Sequence, residues 1–293
     1  MNFDRYLVKL DALIAAKKLT PNAFQRLVMG FYEDNRRPFA WRETRDPYKI
    51  LVSEIMLQQT QTSRVEERYP TFLKAFPTIK ALANASQADV LKAWEGLGYY
   101  RRARNLHRAA IAVHEEYGGK MPNSFDELIA LPGLGHYTAA AVSVFAFEKP
   151  TPMIETNIRS VYLYGFCSGR TKVSDRELMQ LIHDTMDTKR CRDWFYALMD
   201  FGVALKRARP GINAQSKHHT KQSKFEGSDR QIAATILKIV VASKRGVAVS
   251  EIQKHVNAEV ERVEKAVRRL ENDGLIRRMR TGRVVVAISD RVR

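Results

Sequence analysis

Two carboxylates are the first residues of this 293-residue chain whose settings suggest chemistry. Glu54 falls between Leu51/Val52 and Ile55/Met56 in DPYKILVSEIMLQQTQT, an otherwise apolar helical stretch. A carboxylate there loses hydration, which raises its pKa and lets it act as an acid near neutral pH. The plain alternative is a solvent-facing acid on an amphipathic helix. Glu155, in PMIETNIRSV, leads a second helical stretch. It is either a first-turn cap or the second carboxylate of a site that works on a glycosidic bond.

Two further segments suggest contact with a polyanion. In LIALPGLGHYTAAAVSVFA, Gly133 and Gly135 flank Leu134 and let the backbone turn tightly and approach a ligand without Cβ interference. The helix that follows offers unpaired N–H groups to an anion such as one DNA phosphate; a Gly-rich turn between two core helices fits the same text. In WEGLGYYRRARN, Tyr99 and Tyr100 stand beside Arg101, Arg102 and Arg104, which combines stacking with phosphate binding. Tyrosines packed under a solvated arginine face are the alternative. Gln58 and Gln59 follow Glu54 at i+4 and i+5, amides suited to base edges or to a polar helix end.

The elements that must position these residues are mostly helices. Apolar residues recur at helical spacing near 7–14, 24–31, 48–57, 63–75, 87–94, 100–117, 136–147, 156–166, 176–186 and 191–205, with Pro- or Gly-containing turns separating many of them. The expectation over 1–205 is an all-α domain in two lobes, with N- and C-terminal helices meeting. Residues 206–227, KRARPGINAQSKHHTKQSKFEG, hold almost no apolar side chains and read as an extended basic connector. Residues 228–293 follow a different pattern: helices near 228–242, 250–256 and 258–272, then strands 275–279 and 283–288 around Thr281-Gly282. That order resembles a small α+β winged helix, with Arg262, Arg268 and Arg269 on its third helix and Arg277, Arg278, Arg280 and Arg283 along the wing.

The charge is uneven. The chain carries +17, of which residues 201–293, with 21 basic and 9 acidic side chains, hold +12. Such an excess favours nucleic acid as partner. No apolar run approaches the roughly 20 residues of a membrane span, and the N-terminal stretch lacks a signal peptide's apolar block. Cys167 and Cys191 are too few for a disulfide framework or a four-thiolate metal site. The expectation is a cytosolic, nucleoid-associated monomer.

WRETRDPYKILVSEIMLQQTQT, WEGLGYYRRARNLHRAA, LPGLGHYTAAAVSVFAF and PMIETNIRSVY together resemble the helix-hairpin-helix, endonuclease III-like glycosylase superfamily, in the branch of the adenine DNA glycosylases. The likeness runs over roughly residues 22–205. It implies a two-lobed helix-hairpin-helix fold and removal of a mispaired adenine (G·A or 8-oxoguanine·A) from double-stranded DNA. By position, Glu54 matches the acid that protonates the base, and Glu155 the carboxylate that stabilises the oxocarbenium-like sugar or bonds to it transiently. Asn157 matches a residue that orients the site. Tyr137 stands where bifunctional relatives carry a Schiff-base lysine, which implies base removal without efficient strand cleavage. Gln58, Gln59 and Tyr99 match residues that fill the space of the flipped base or stack near the opposing purine, and lost base stacking is worth about 1–3 kcal/mol on an aromatic. Cleaving an N-glycosidic bond needs a proton at the leaving base and negative charge near C1′, hence two carboxylates with different ionisation.

The chain departs from that family in three places. Glu155 replaces an Asp, and one methylene lengthens the reach by about 1.5 Å, where about 1 Å of misplacement can cost about 100-fold. The four cysteines of the family's iron–sulfur loop map onto Lys206, Asn213, Ser216 and Gln222, so no cofactor is expected there; a cation at the hairpin is left open. His218-His219 in this loop lack companion ligands. The family's C-terminal 8-oxoguanine-recognition domain has no counterpart, and the winged-helix candidate stands in its place. Alternatives remain: a thymine, uracil or other damaged-base glycosylase of the same superfamily, or a non-catalytic DNA-binding protein.

Overall fold

A computed structural model describes residues 3–218, 224–243 and 245–288. Twelve helices run in order through the first 208 residues: α1 Asp4–Ala15, α2 Pro21–Asn35, α3 Pro47–Leu57, α4 Thr62–Ala75, α5 Ile79–Ala83, α6 Gln87–Ala93, α7 Arg101–Glu116, α8 Phe125–Ala130, α9 His136–Phe147, α10 Thr156–Phe166, α11 Asp175–Thr185 and α12 Cys191–Ala208. After them come α13 Asp229–Ala242, β1 Val247–Ala248, α14 Val249–His255, α15 Val260–Asn272, β2 Ile276–Arg278 and β3 Arg283–Val286. The chain forms two compact units, one of residues 1–47 with 135–221 and one of residues 48–134 with 222–293.

In the first unit the N-terminal helices meet those near residue 200, as the apolar periodicity leads one to expect. Phe24 of α2 meets Tyr162, Phe166 and Trp194 edge-on at 5.1–5.5 Å between centroids, and Phe31 meets Phe201 at 5.3 Å. Buried Asp200 of α12 accepts two hydrogen bonds from Arg42, at 2.7 and 2.9 Å, and two from Arg37, from Nε at 2.6 Å and from the backbone N–H at 3.3 Å. A buried carboxylate needs this degree of pairing. Helix α12 also passes very close to the first turn of α10: a Cβ on Gly202 would lie 2.3 Å from the Asn157 carbonyl oxygen.

Over 206–218 the connector is not the extended run its composition suggests. Helix α12 continues to Ala208, Ile212–Gln215 forms a 3-10 turn, and Ser216 bridges to Val173. Ile212, its lone large aliphatic residue between 206 and 218, is buried, and the backbone bonds Val173 N–H to Gln215 O at 3.0 Å and Lys217 N–H to Val173 O at 2.9 Å. One buried side chain and these bonds pack a segment too polar to show a periodicity.

In the second unit, residues 229–288 have the α–β–α–α–β–β order and the antiparallel sheet order β1-β3-β2 of a winged helix. Val284 pairs with both Val247 and Arg278. Gln87 of α6, itself buried, donates to the Gly274 carbonyl at 3.0 Å, and Lys238 pairs with Glu95 at 2.9 Å, so this module is seated on the 48–134 half.

Candidate active site and nucleic-acid interface

In the 48–134 half, Glu54 is 3% exposed on α3, flanked as its neighbours require by buried Leu51, Val52, Ile55 and Met56. The solvent-facing alternative is thereby set aside. Helix α3 stops at Leu57, and the chain turns through half-buried Gln58 and exposed Gln59, whose φ is +55°. A second turn, Gly96–Tyr100, places half-buried Tyr99 at φ +46°. Left-handed backbone costs an L residue about 1–2 kcal/mol, so both conformations need support from their surroundings.

That support is Arg102, 9% exposed. Its Nη1 donates to the carbonyls of Ile55 and Met56 at 2.9 Å each and to that of Gln58. Its Nη2 donates to Thr60 Oγ1 and Leu97 O at 2.9 Å and to Gly98 O at 3.1 Å. The guanidinium carbon lies 5.5 Å from the ring centroids of both Trp94 and Tyr99. Burial pulls its pKa down to about 10. Sequence inspection grouped Arg102 with its surface neighbours. The missed signal was the helical period of α7, which puts it in line with buried Leu106, Ala110 and Val113.

Arg101 is exposed, 3.7 Å from Asp273, while half-buried Arg104 turns onto Gly274. Tyr100 is half-buried, and desolvation raises its pKa. The Leu131–Leu134 turn depends on Gly133, at φ +78°, where a Cβ would meet the Asn105 side chain at 2.4 Å. Gly135 has open space instead, at an extended backbone angle, so only the first glycine is forced by packing. Leu134 is 6% exposed and serves the turn through its N–H to Leu131 O, 3.2 Å, while Gly133 and Gly135 themselves are exposed.

In the other unit, Glu155 caps α10. Its Oε1 accepts from the Asn157 and Ile158 backbone N–H groups at 2.8 Å each, and its Oε2 accepts from Asn157 Nδ2 at 3.0 Å. The longer side chain thus folds back onto its own helix start. Burial pushes the Glu155 pKa up, and the two backbone donors, then Lys206 and Arg159, pull against that rise. Lys206 of α12, one turn beyond Gly202, is half-buried with a pKa lowered by burial and raised in part by Glu155. Asn157 Oδ1 is buried with no hydrogen-bond partner among the described residues. Tyr137 lies in the first turn of α9, half-buried.

The positions of the family's cluster ligands hold other chemistry. Asn213 accepts from Ser160 Oγ at 3.0 Å and donates to Thr156 O at 3.4 Å; Ser216 is buried beside Val173. An amine, an amide and a hydroxyl cannot replace thiolates, so these residues do not fit an iron–sulfur centre. Gln222 and His219 lie outside the described residues, and His218 is exposed. Among the described residues no group of three or more His, Cys, Asp or Glu is arranged to hold a metal, and no helix is long and apolar enough to cross a membrane.

On the C-terminal module the arginines divide into two sets. Arg262 pairs with Asp229 at 2.7 Å, Arg278 with Glu264 at 2.8 Å, and Arg283 donates to Gly246 O at 2.8 Å. Arg268, Arg269 and Arg280 are exposed and have no ion pair among the described residues.

The profile of the HhH-GPD superfamily of base excision DNA repair proteins matches residues 52–184, and that of the replication protein A C terminus matches residues 204–277. An adenine DNA glycosylase of Mycolicibacterium smegmatis is 31% identical over 279 residues, covering 89% of this chain and 94% of the relative. Among solved structures, a thermostable thymine-DNA glycosylase superposes with a TM-score of 0.59 at 29% identity, over 67% of this chain and 94% of that one. A trapped endonuclease III–DNA covalent intermediate gives 0.54 at 20% identity, over 71% and 91%, a likeness of fold.

Proposed function

The chain belongs to the HhH-GPD superfamily of base excision DNA repair proteins, and from that membership we propose that it is a monofunctional adenine DNA glycosylase acting on G·A or 8-oxoguanine·A pairs in duplex DNA. The observation that carries the reading is Glu155. It is a desolvated carboxylate whose oxygens are aimed by two backbone N–H groups and Asn157 Nδ2, beside an Asn157 oxygen left for a ligand.

Adenine, once out of the stack, accepts a proton from Glu54, and the C1′–N9 bond breaks with its electron pair going to the base. Positive charge developing at C1′ is stabilised by the Glu155 carboxylate, and water adds there to leave an abasic site. Tyr137 offers no amine to trap C1′ as an imine, so the strand stays intact. Tyr99, Gln58 and Gln59 occupy the vacated stack, and Arg268, Arg269 and Arg280 hold phosphates.

End-labelled duplexes carrying A, T, U or hypoxanthine opposite G or 8-oxoguanine test this directly. Strand cleavage at A, appearing only after alkali, is the expected result. Binding without an abasic product on any duplex would refute it. Glu54→Gln should abolish base removal and leave duplex affinity intact; retained turnover would remove Glu54 from its role. The 29% identity with the thymine-DNA glycosylase supports a second reading, release of thymine from a G mismatch, which the same duplex set distinguishes.

A further inference from the structure

Tyr99 carries a left-handed backbone and a phenol that needs a hydrogen-bond partner when half-buried. Arg102 holds the turn from within the 48–134 half. The phenol is held by Arg230, which belongs to the C-terminal module: its Nη1 donates to the Tyr99 hydroxyl oxygen at 2.5 Å, and its guanidinium carbon lies 5.7 Å from the ring centroid. We propose that Arg230 is a positioning residue for Tyr99, so that the module gripping the duplex also sets the ring that enters it.

Arg230 is itself keyed to the module. It is the second residue of α13, whose start is capped by Ser228, and its neighbour Asp229 is paired with Arg262 of α15. The same face of the module meets the 95–104 segment at three further points, through Lys238–Glu95, Asp273–Arg101 and Gly274 against Arg104. A shift of the module on binding DNA is therefore passed to the phenol through one planar group. A partly exposed contact of this kind carries little folding free energy. A ring displaced by about 1 Å from a productive position costs about 100-fold in rate. The consequence of losing Arg230 is thus read in the site and not in stability.

The inference rests on Tyr99 being the residue that enters the stack. Full-length wild type, Arg230→Ala, Arg230→Lys, Tyr99→Phe and the Arg230→Ala/Tyr99→Phe double variant are compared in three measurements. These are the fluorescence rise of 2-aminopurine placed opposite G on saturating protein, affinity for an undamaged duplex, and single-turnover release of adenine. Arg230→Ala should cut the fluorescence rise and the release rate about 10-fold or more, with melting temperature and undamaged-duplex affinity within about 2-fold or 2 °C of wild type. The double variant should be no worse than Arg230→Ala alone, because both changes break one contact. Arg230→Lys should recover part of the signal, since an ammonium donates to the phenol without the planar face. Multiplicative losses, or a loss matched in undamaged-duplex affinity, would overturn the proposal and make Arg230 an ordinary phosphate contact. If wild type releases no base, the glycosylase reading fails, while the fluorescence and affinity arms still decide the coupling.

Discussion

Arg102→Ala is the substitution for which the structure sets the clearest magnitude. Four N–H hydrogens on Nη1 and Nη2 serve six acceptors at the ends of two turns, and the bonds to Ile55, Met56 and Leu97 are fully buried. Four charge-assisted bonds contribute roughly 6–12 kcal/mol at about 1.5–3 each. Against this stands the burial of the cation. The burial that pulls its pKa down to about 10 corresponds to a cost of about 3 kcal/mol. The orphaned carbonyls are partly rehydrated once the side chain is gone, which places the net loss near the low end, about 3–5 kcal/mol. At about 2–4 °C per kcal/mol the melting transition of the affected unit should fall by roughly 6–20 °C. Arg102→Met keeps the apolar stem over Trp94 and Tyr99 but no donors, and should fall nearly as far. Arg102→Lys brings three donors to six acceptors and should recover less than half. Thermal unfolding followed by circular dichroism reads these values, and single-turnover release of adenine should drop about 100-fold as the Gln58 and Tyr99 turns lose register. A loss below about 1 kcal/mol in Arg102→Ala, or a Met variant as stable as wild type, would refute the clamp.

Four other outcomes follow from the structure. Gly202→Ala places a methyl group 2.3 Å from the Asn157 carbonyl oxygen, so it should cost about 1–3 kcal/mol of overpacking and displace Glu155 and Asn157, with kcat falling far more than duplex affinity. Glu155 must be ionised to act, and its pKa is raised by burial, so activity should fall off on the acid side at a pH above the ordinary glutamate range. Because the folded state holds this proton more tightly, its stability contribution is greatest below the unfolded pKa and declines as pH rises through the folded one, opposite in sense to activity. Lys206→Met removes a cation that favours the carboxylate and should move the acid limb upward, a shift that a pH–rate profile detects and whose absence would contradict the electrostatic influence of Lys206 on Glu155. Replacing Arg268, Arg269 and Arg280 together by Ala should lower the slope of log K against log salt by about 2–3, with the rate of the bound complex preserved; an unchanged slope would remove the module from the phosphate contacts.

How much of this was legible in the sequence depended on the length over which each signal repeats. Helices α3, α7, α9, α10 and α12 run for 11–18 residues and show their buried faces in the text. Helices α5 and α8, of five and six residues, are too short to display a period. Strand β1 has two residues and exists only through its pairing with β3, Val247 with Val284 and Ala248 with Arg283. The two candidate carboxylates stand out in the text because each breaks a local pattern: an acid within an apolar run at Glu54, an acid before a helix at Glu155. That Glu155 caps its own helix through Oε1 while Oε2 accepts from Asn157 Nδ2 required coordinates. Arg230 was invisible to motif inspection because its meaning lies 131 residues away at Tyr99.

The 206–218 segment shows how a polar stretch without cysteines can be packed against a helix start. A cluster fixes a loop through a few strong bonds, whereas Asn213 and Ser216 share the work among weaker ones directed at α10 and at Val173. Ser160 and Thr156, the two α10 residues that Asn213 engages, lie in the first turn and a half beyond Glu155, so the loop bears on the helix start that aims the carboxylate. Lys206 adds a charge that no cluster thiolate could supply. A Glu whose burial favours the neutral acid is returned toward its anion by a cation on the facing helix, together with its own cap donors. Cap and loop thus bear on one carboxylate: the start of α10 aims Glu155, and the lysine offsets part of the desolvation that burial imposes.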